Sequence, residues 1–399
     1  MSKLEDLIAE LCPNGVKYKK IGDIAFISTG SKLSDIQESP SLYEYINAGT
    51  TNSGYSLDWN CDGDVVTTPS RGQGGIGYIG YQKNKFWLGP LCYKIVGNDS
   101  FVLNKYLYYY LSNNSYEILS LKKDGGIPAI NKSDLEELIL PVPPLEVQAE
   151  IVRILDTFTE LTTELTTELT TRSKQYEYYR DTLLTFDDNN PLHSLISHYC
   201  PNGVNYKALK KCVFKIDNIK WKNYNGNDKS YIDLSSVDIN RHIVICCQSI
   251  NAVSAPSRAQ QIIKKNDVLF GTTRPMLRRY CIIDDLYNDE ICSTGFCVLR
   301  ANSDVVLPRW IYHIISTNDF FAYIENNQNG ASYPSISDSL VKDFEIPVPP
   351  LEVQRQIVQI LDRFDALCND LTQGLPAEIE ARRKQYEYYR DQLLNFKRA

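Results

Sequence analysis

Histidine and methionine are scarce in this 399-residue chain, at four and two residues. The histidines (His193, His198, His242 and His313) are scattered, and neither a CxxC pair nor an HExxH segment is present. The common zinc spacings are therefore excluded. Cysteines number eleven, an odd count with Cys246 and Cys247 adjacent. That argues against a disulfide framework and makes most of them small core residues. No apolar run approaches the roughly 20 residues that span a bilayer, and MSKLEDLIAELC lacks a signal peptide's apolar core. A cytoplasmic protein is expected. Positive charge is short too: the net charge is −7, with a pI near 5.3. On its face this disfavours nucleic acid, although net charge does not say where charges sit. The length favours two or three domains.

What the chain does have is repetition. Residues 12–19 read CPNGVKYK and 200–207 read CPNGVNYK; PVPPLEVQ stands at 141–148 and again at 347–354; KQYEYYRD stands at 174–181 and again at 384–391. The offsets are 188, 206 and 210 residues. A period of that size is a duplicated domain rather than a solenoid. Between the repeated blocks the copies diverge. Asp64-Val65 with Arg71 matches Asp267-Val268 with Arg274, and LNKYLYYYLSNN (103–114) matches LPRWIYHIISTN (307–318). One frame presenting two different recognition surfaces fits this pattern; drift after duplication is the alternative.

The divergent inserts are rich in Tyr, Ile, Val and Thr between Gly, Asn and Asp clusters, which predicts short strands and turns. Each also carries one helix, near 103–112 and 307–316. After PVPPLEVQ the period changes. Ile151, Leu155, Phe158, Leu165, Leu169, Tyr176, Tyr179, Leu183 and Phe186 recur at threes, fours and sevens, as do Ile357, Leu361, Phe364, Cys368, Tyr386, Tyr389 and Leu393. Each copy should therefore contain a long heptad-like helix, with Pro144 placed at the start of the first. Residues 145–186 would extend about 63 Å at ~1.5 Å per residue. The connection 187–199 reaches at most about 43 Å at ~3.3 Å per residue. A parallel pair is thus excluded, and an antiparallel coiled coil with approximate twofold symmetry is expected, the insert domains at its opposite ends. Gln373-Gly374-Leu375-Pro376 should break the second helix.

Two readers on a spacer match the geometry of a split DNA site. Residues 160–171 (ELTTELTTELTT) repeat a four-residue unit three times. One such unit turns a helix by about 400°, a net ~40°, and one base pair turns B-DNA by ~34–36°; an ordinary helix-forming repeat with no metric role is the alternative. Local charge agrees with DNA where net charge does not. Between Val65 and Asn98 stand Arg71, Lys83, Lys85 and Lys94 with no acid; between Arg258 and Arg279 stand Arg258, Lys264, Lys265, Arg274, Arg278 and Arg279 against Asp267 alone. Arginine can bridge the two acceptors of guanine, and lysine mostly meets phosphate. Gln73 could read adenine or serve a turn. Gly72, Gly74 and Gly77 match a dinucleotide fingerprint, but strand-like sequence follows and the acid is missing, so nucleotide binding is not expected. Tyr106, Tyr109 and Tyr110 lie at helical spacing and suit a core.

The alternating plan resembles the specificity subunit of Type I restriction–modification systems, on PVPPLEVQ with its following ILD and KQYEYYRD with its following LL. The resemblance covers essentially the whole chain. It implies an α+β protein: two mixed α/β target-recognition domains joined by two long antiparallel coiled-coil helices, a pseudo-twofold tandem duplication. The domains would be 1–143 with a short N-terminal helix and 189–349, and the spacer helices 144–188 and 350–399. The implied function is non-catalytic. Each domain would read half of a bipartite double-stranded DNA site, and the conserved regions would bind two modification (methyltransferase) subunits, with restriction (translocase and nuclease) subunits joining. S-adenosylmethionine, ATP and Mg would sit on those partners and no cofactor or metal on this chain. Expected DNA-binding residues are Arg71, Gln73, Lys83, Lys85, Arg258, Arg274, Arg278 and Arg279. Expected scaffold or partner residues are Tyr176, Tyr179, Arg180, Tyr386, Tyr389 and Arg390. No phosphate loop, nuclease cluster or Asn/Asp-Pro-Pro-aromatic motif argues for catalysis. A rigid two-headed adaptor binding proteins or glycans is the alternative.

Overall fold

The computed structural model describes residues 2–72, 74–123, 127–370 and 372–399. The chain forms two compact units, Met1–Glu164 with Glu380–Ala399, and Leu165–Ile379. Both units follow one plan. In the first, Lys17–Lys20 pairs antiparallel with Ile139–Val142, tying the CPNGVKYK block to the PVPP block. The second repeats this with Tyr206–Ala208 against Glu345–Pro347. Each unit then has an antiparallel four-stranded sheet in matching order. In the first the order is Ala25–Thr29, Cys92–Gly97, Val65–Pro69, Gly80–Gln82. In the second it is Val213–Phe214, Phe296–Ala301, Val268–Gly271, Tyr280–Ile282. A second sheet in each, of three strands in the first unit and four in the second, contains one parallel pair, Tyr43–Ile46 with Trp87–Leu88 and Lys229–Ile232 with Ile291–Ser293. The second unit adds the strand Ala259–Ile262. The tandem duplication read from the repeats is therefore a duplication of topology.

The repeated glutamine of PVPPLEVQ explains why that block stays fixed while the inserts diverge. Gln148 Oε1 accepts from the Leu103 N–H, and its Nε2 donates to the carbonyls of Phe101 and Pro143, at 2.8–2.9 Å. Gln354 makes the same three bonds, to Leu307, Val305 and Pro349. Both side chains are fully buried. Each amide thus ties the insert's helix (Asn104–Asn113 or Pro308–Ile314) to the start of a spacer helix. A leucine here would leave one N–H and two carbonyls unpaired, each costing about 1–3 kcal/mol. Gln148→Leu should therefore destabilise the first unit by about 3 kcal/mol or more. Hydrogen exchange should speed up in that unit and not in the other; equal acceleration in both would contradict the assignment.

The first spacer is one helix, Leu145–Leu184. Pro144 precedes it and its carbonyl accepts the Gln148 N–H, so Pro144 acts as the cap rather than the first helical residue. Threonines of the ELTT run bond their own helix: Thr170 and Thr171 hydroxyls donate to the carbonyls four residues back. This satisfies residues that otherwise compete with helical structure. The other spacer runs as Leu351–Asn369 and Leu375–Leu394. Between them Asp370 accepts the N–H groups of Thr372 and Gln373, and Gly374 sits so close that a Cβ would lie 2.6 Å from the Ala366 carbonyl.

Aromatic rings of the repeated blocks bind the helices within each unit. In the second unit Phe364 stacks on Tyr179 at 5.5 Å and Tyr176 at 6.5 Å. Cys368, one turn further on, meets Ser173, one turn back. The segments are therefore antiparallel there. In the first unit Phe158 stacks on Tyr389 at 5.5 Å and meets Tyr386 edge-on. Leu393 and Leu394 join the core formed by Val147, Ile151 and Leu155. Tyr106, Tyr109 and Tyr110 are core residues of that unit. Among the described residues, no helix is long and apolar enough to cross a membrane.

Candidate nucleic-acid interface

The four-stranded sheet of the second unit gathers most of the basic residues expected from its sequence. Val268–Gly271 ends at the turn that carries Arg274, Arg278 and Arg279. Arg258 reaches the same end: its carbonyl accepts from Thr294, and the adjacent Gly295 carbonyl accepts from Thr272. Arg258 and Arg274 are exposed, and Arg278 and Arg279 half-buried. Among the described residues no carboxylate lies within ion-pair distance of any of the four. The one acid of this stretch, Asp267, is fully buried and bonded by Arg300 at 2.7 and 2.9 Å. It cannot neutralise the turn. Lys264 and Lys265 lie at the other end of the strand, where Lys265 pairs with Asp285.

The arginines are held by aromatic faces. Arg274 lies over Tyr333 at 4.4 Å, and Arg278 over Phe321 at 4.4 Å. Arg278 also donates to Asn318 Oδ1 at 3.4 Å. Arg274 and Arg278 adopt left-handed backbone conformations, with φ of 50° and 54°. Such a conformation costs a non-glycine residue roughly 1–2 kcal/mol and persists where surrounding contacts impose it. Here the Arg274 N–H donates to Pro334 O at 2.7 Å, and Thr273 bridges to Ser335.

The first unit departs from its sequence reading in two ways. Arg71 leaves the far end of Val65–Pro69, whereas Lys83 and Lys85 follow Gly80–Gln82 at the near end, beside Asp64. The first basic stretch is therefore not one patch. Lys85 lies 4.0 Å from Trp59 and 3.8 Å from Asp62, in a cleft that also contains Glu44. Arg71 is exposed. Gln73 falls outside the described residues. The second departure concerns register. Ser70 and Thr272 occupy equivalent places: the carbonyl of each accepts the N–H of Ile130 or Ile336. The Gly72 N–H donates to Pro128 O as the Arg274 N–H donates to Pro334 O. Arg274 thus stands where the first unit has Gly72, not Arg71, and both positions are left-handed, at 122° and 50°.

The residues expected to serve scaffold or partner divide by burial. Tyr176 and Arg180 are buried, Tyr176 with its hydroxyl 3.1 Å from His313 Nδ1 and Arg180 on Asp181. Tyr386, Tyr389 and Arg390 are half-buried in the first unit's packing. These five side chains pack within their own units. The exposed rings of the two KQYEYYRD blocks are Tyr178 and Tyr388, with Tyr179 partly so.

His242 sits beside the basic turn, stacked on Tyr280 at 3.8 Å, its Nδ1 buried without a partner. Burial pushes its pKa down to about 4, with Asp365 and Asp238 opposing and Arg180 and Arg278 adding to the shift. The depressed value means the folded state resists a proton that the unfolded chain accepts. Stability from this group is complete above about pH 6.5 and falls as pH drops toward 4. Between pH 7 and 5 the second unit should lose about 2 kcal/mol. His242→Phe, which keeps the stack, should flatten that dependence; an unchanged pH profile would contradict it.

Comparison with known proteins agrees with this duplicated architecture. The profile of the Type I restriction modification DNA specificity domain matches residues 13–172 and 211–381. The chain belongs to the type I restriction–modification specificity subunit family. A putative type I restriction enzyme specificity subunit of Haemophilus influenzae is 28% identical over 398 residues, 96% of each chain. The specificity subunit of an Escherichia coli type I restriction enzyme is 32% identical over 75% of this chain and 72% of its own. A crystal structure of the type I system S subunit from M. genitalium has the same fold, with a TM-score of 0.60 at 18% identity over 96% of both chains.

Within this family's frame, one pair of residues escaped the sequence reading. Asp156 accepts from Lys105 Nζ at 2.7 Å and from the Tyr109 hydroxyl at 2.5 Å. Its counterpart Asp362 accepts from Arg309 at 2.7 Å and lies 2.7 Å from His313 Nε2. Both belong to the ILD after PVPPLEVQ, and both lock the insert's helix to the spacer. The signal was the acid in an otherwise apolar repeated triplet. Among the described residues no group of three or more His, Cys, Asp or Glu side chains is placed to hold a metal ion.

Proposed function

We propose that this specificity subunit reads a bipartite DNA site in the cytoplasm and scaffolds a modification and restriction complex without catalysing a reaction itself. Residues 1–143 and 189–349 act as the two target-recognition domains, and 144–188 and 350–399 as spacers. The observation that carries the reading is the end of the second unit's sheet, where among the described residues four arginines have no carboxylate within ion-pair distance, and the one acid of their stretch of sequence is buried on Arg300. Arg258, Arg274, Arg278 and Arg279 would contact base edges and phosphates of one half-site. Arg71 would serve the other, with Gln73, Lys83 and Lys85 as flanking contacts. Tyr178 and Tyr388, exposed on the helices, with the partly exposed Tyr179, suit a dock for two modification subunits. Those partners would bring S-adenosylmethionine, and the restriction subunits ATP and Mg.

Two different inserts on a repeated frame support two different half-sites. The overall acidity fits a subunit whose partners share the phosphate contacts. The test is binding of the full chain, purified with its modification subunit, to duplex DNA across a salt series. Affinity should fall steeply with salt, because released counterions drive much of the association. A flat dependence with no duplex preference would favour the protein- or glycan-binding adaptor.

A further inference from the structure

The basic turn of the second unit has an apolar tip. Arg274 and Arg278 bracket a single 3-10 turn, Pro275–Leu277. Pro275 is buried, while Met276 and Leu277 remain 36% and 38% exposed. The chain has two methionines in all, so placing one on a surface turn beside a leucine is not a matter of abundance. The two left-handed arginines set the turn's direction, and the Pro334 carbonyl and the Thr273–Ser335 bridge hold it from beneath. The supporting loop, residues 326–337, contains no acid. Beside the tip stands Tyr333, 70% exposed under the Arg274 guanidinium. The result is a small apolar point on the turn that carries Arg274, Arg278 and Arg279, with Arg258 at the same end of the sheet.

That combination suits one occupant. A protein partner matched to the arginines would be acidic, but it would leave the apolar tip facing charge. A DNA duplex offers phosphates to the arginines and, between adjacent base pairs, an apolar slot for the tip. Met and Leu are among the side chains that wedge between base steps, and unstacking a step costs a few kcal/mol, offset by the contacts a bend allows. Among the described residues the first unit shows no such tip: its matching turn carries Gly72, Gly74 and Gly75.

We infer that Met276 and Leu277 form a wedge that inserts between base pairs at the second half-site, so that this domain reads the deformability of its DNA as well as its base edges. The inference rests on the DNA-reading function proposed above. It makes one half-site sensitive to step flexibility, with pyrimidine–purine steps the cheapest to open, and leaves the other half-site insensitive.

The test uses the full chain with its modification subunits and duplexes in which 2-aminopurine is moved through the site, one position at a time on each strand. Wild-type complex should raise the fluorescence at one step of the second half-site, apart from any signal at the methylation target. Met276→Ala with Leu277→Ala should lose that rise while keeping the signal at the target and the protection of the first half-site. An abasic gap at the same step should tighten wild-type binding and leave the double variant unchanged. Both residues are on the surface, so folding should be intact, as thermal melting would verify. Protection of both half-sites with no unstacked step, or a step that stays unstacked in the double variant, overturns the wedge while the DNA reading stands. Failure to protect either half-site overturns both.

Discussion

Reversing the charge of Arg274 and Arg278 together should abolish recognition of one half of the DNA target and spare the other half. Each arginine contact to a base or desolvated phosphate is worth about 1–3 kcal/mol. The pair should therefore cost about 2–6 kcal/mol, roughly 30-fold to 10⁴-fold in affinity, before any repulsion from the new carboxylates. The slope of log affinity against log salt should fall by about 2, since each phosphate contact contributes roughly 0.9. Arg274→Gly separates this loss from misfolding. The position is left-handed and holds glycine in the other unit, so the change relieves strain and should leave the melting temperature unchanged or raised. DNA affinity should still fall. Footprints that protect both halves in the reversed variant would contradict the assignment of this turn.

Inserting one further Glu-Leu-Thr-Thr unit after Thr171 should change which DNA gap is recognised and leave both half-sites unaltered. Four residues add about 6 Å and a net ~40° of rotation to a helix, and one base pair turns the duplex by ~34–36°. Angular register is therefore kept with a gap one base pair longer. The threonines of the run satisfy their hydroxyls within the helix, so an added unit brings its own hydrogen bonds and breaks none. Methylation at the original spacing should be lost and should appear at the longer one. Continued methylation at the original spacing would deny the run any metric role.

The large features were legible because they repeat. PVPPLEVQ and KQYEYYRD return letter for letter, and heptad spacing marks the helices in both copies. The antiparallel pairing followed from chain length alone, because 187–199 is too short for the alternative. The sheets were legible only as a tendency to strands. Their order depends on pairings such as Val66 with Ile95 and Val268 with Leu299, which no local pattern records. The register of the two basic turns slipped by one residue for the same reason. Letters aligned Arg71 with Arg274, whereas the hydrogen bonds to Pro128 and Pro334 place Arg274 on Gly72. Local charge counts foresaw the arginine cluster but also joined residues that a strand holds apart, as with Arg71 and Lys83. Asp156 and Asp362 were hidden because Lys105 and Arg309 lie about fifty residues away in sequence, across the insert.

The central claim is that two unlike units on one repeated frame read the two halves of a single DNA site for a modification partner. A genome-wide map of methylated adenines, made with this gene present and deleted, tests it most directly. The account predicts one split motif, two short specific halves around a fixed nonspecific gap, that is methylated in the first strain and unmethylated in the second. A map in which no motif is lost, in a cell with an active modification subunit, would contradict it.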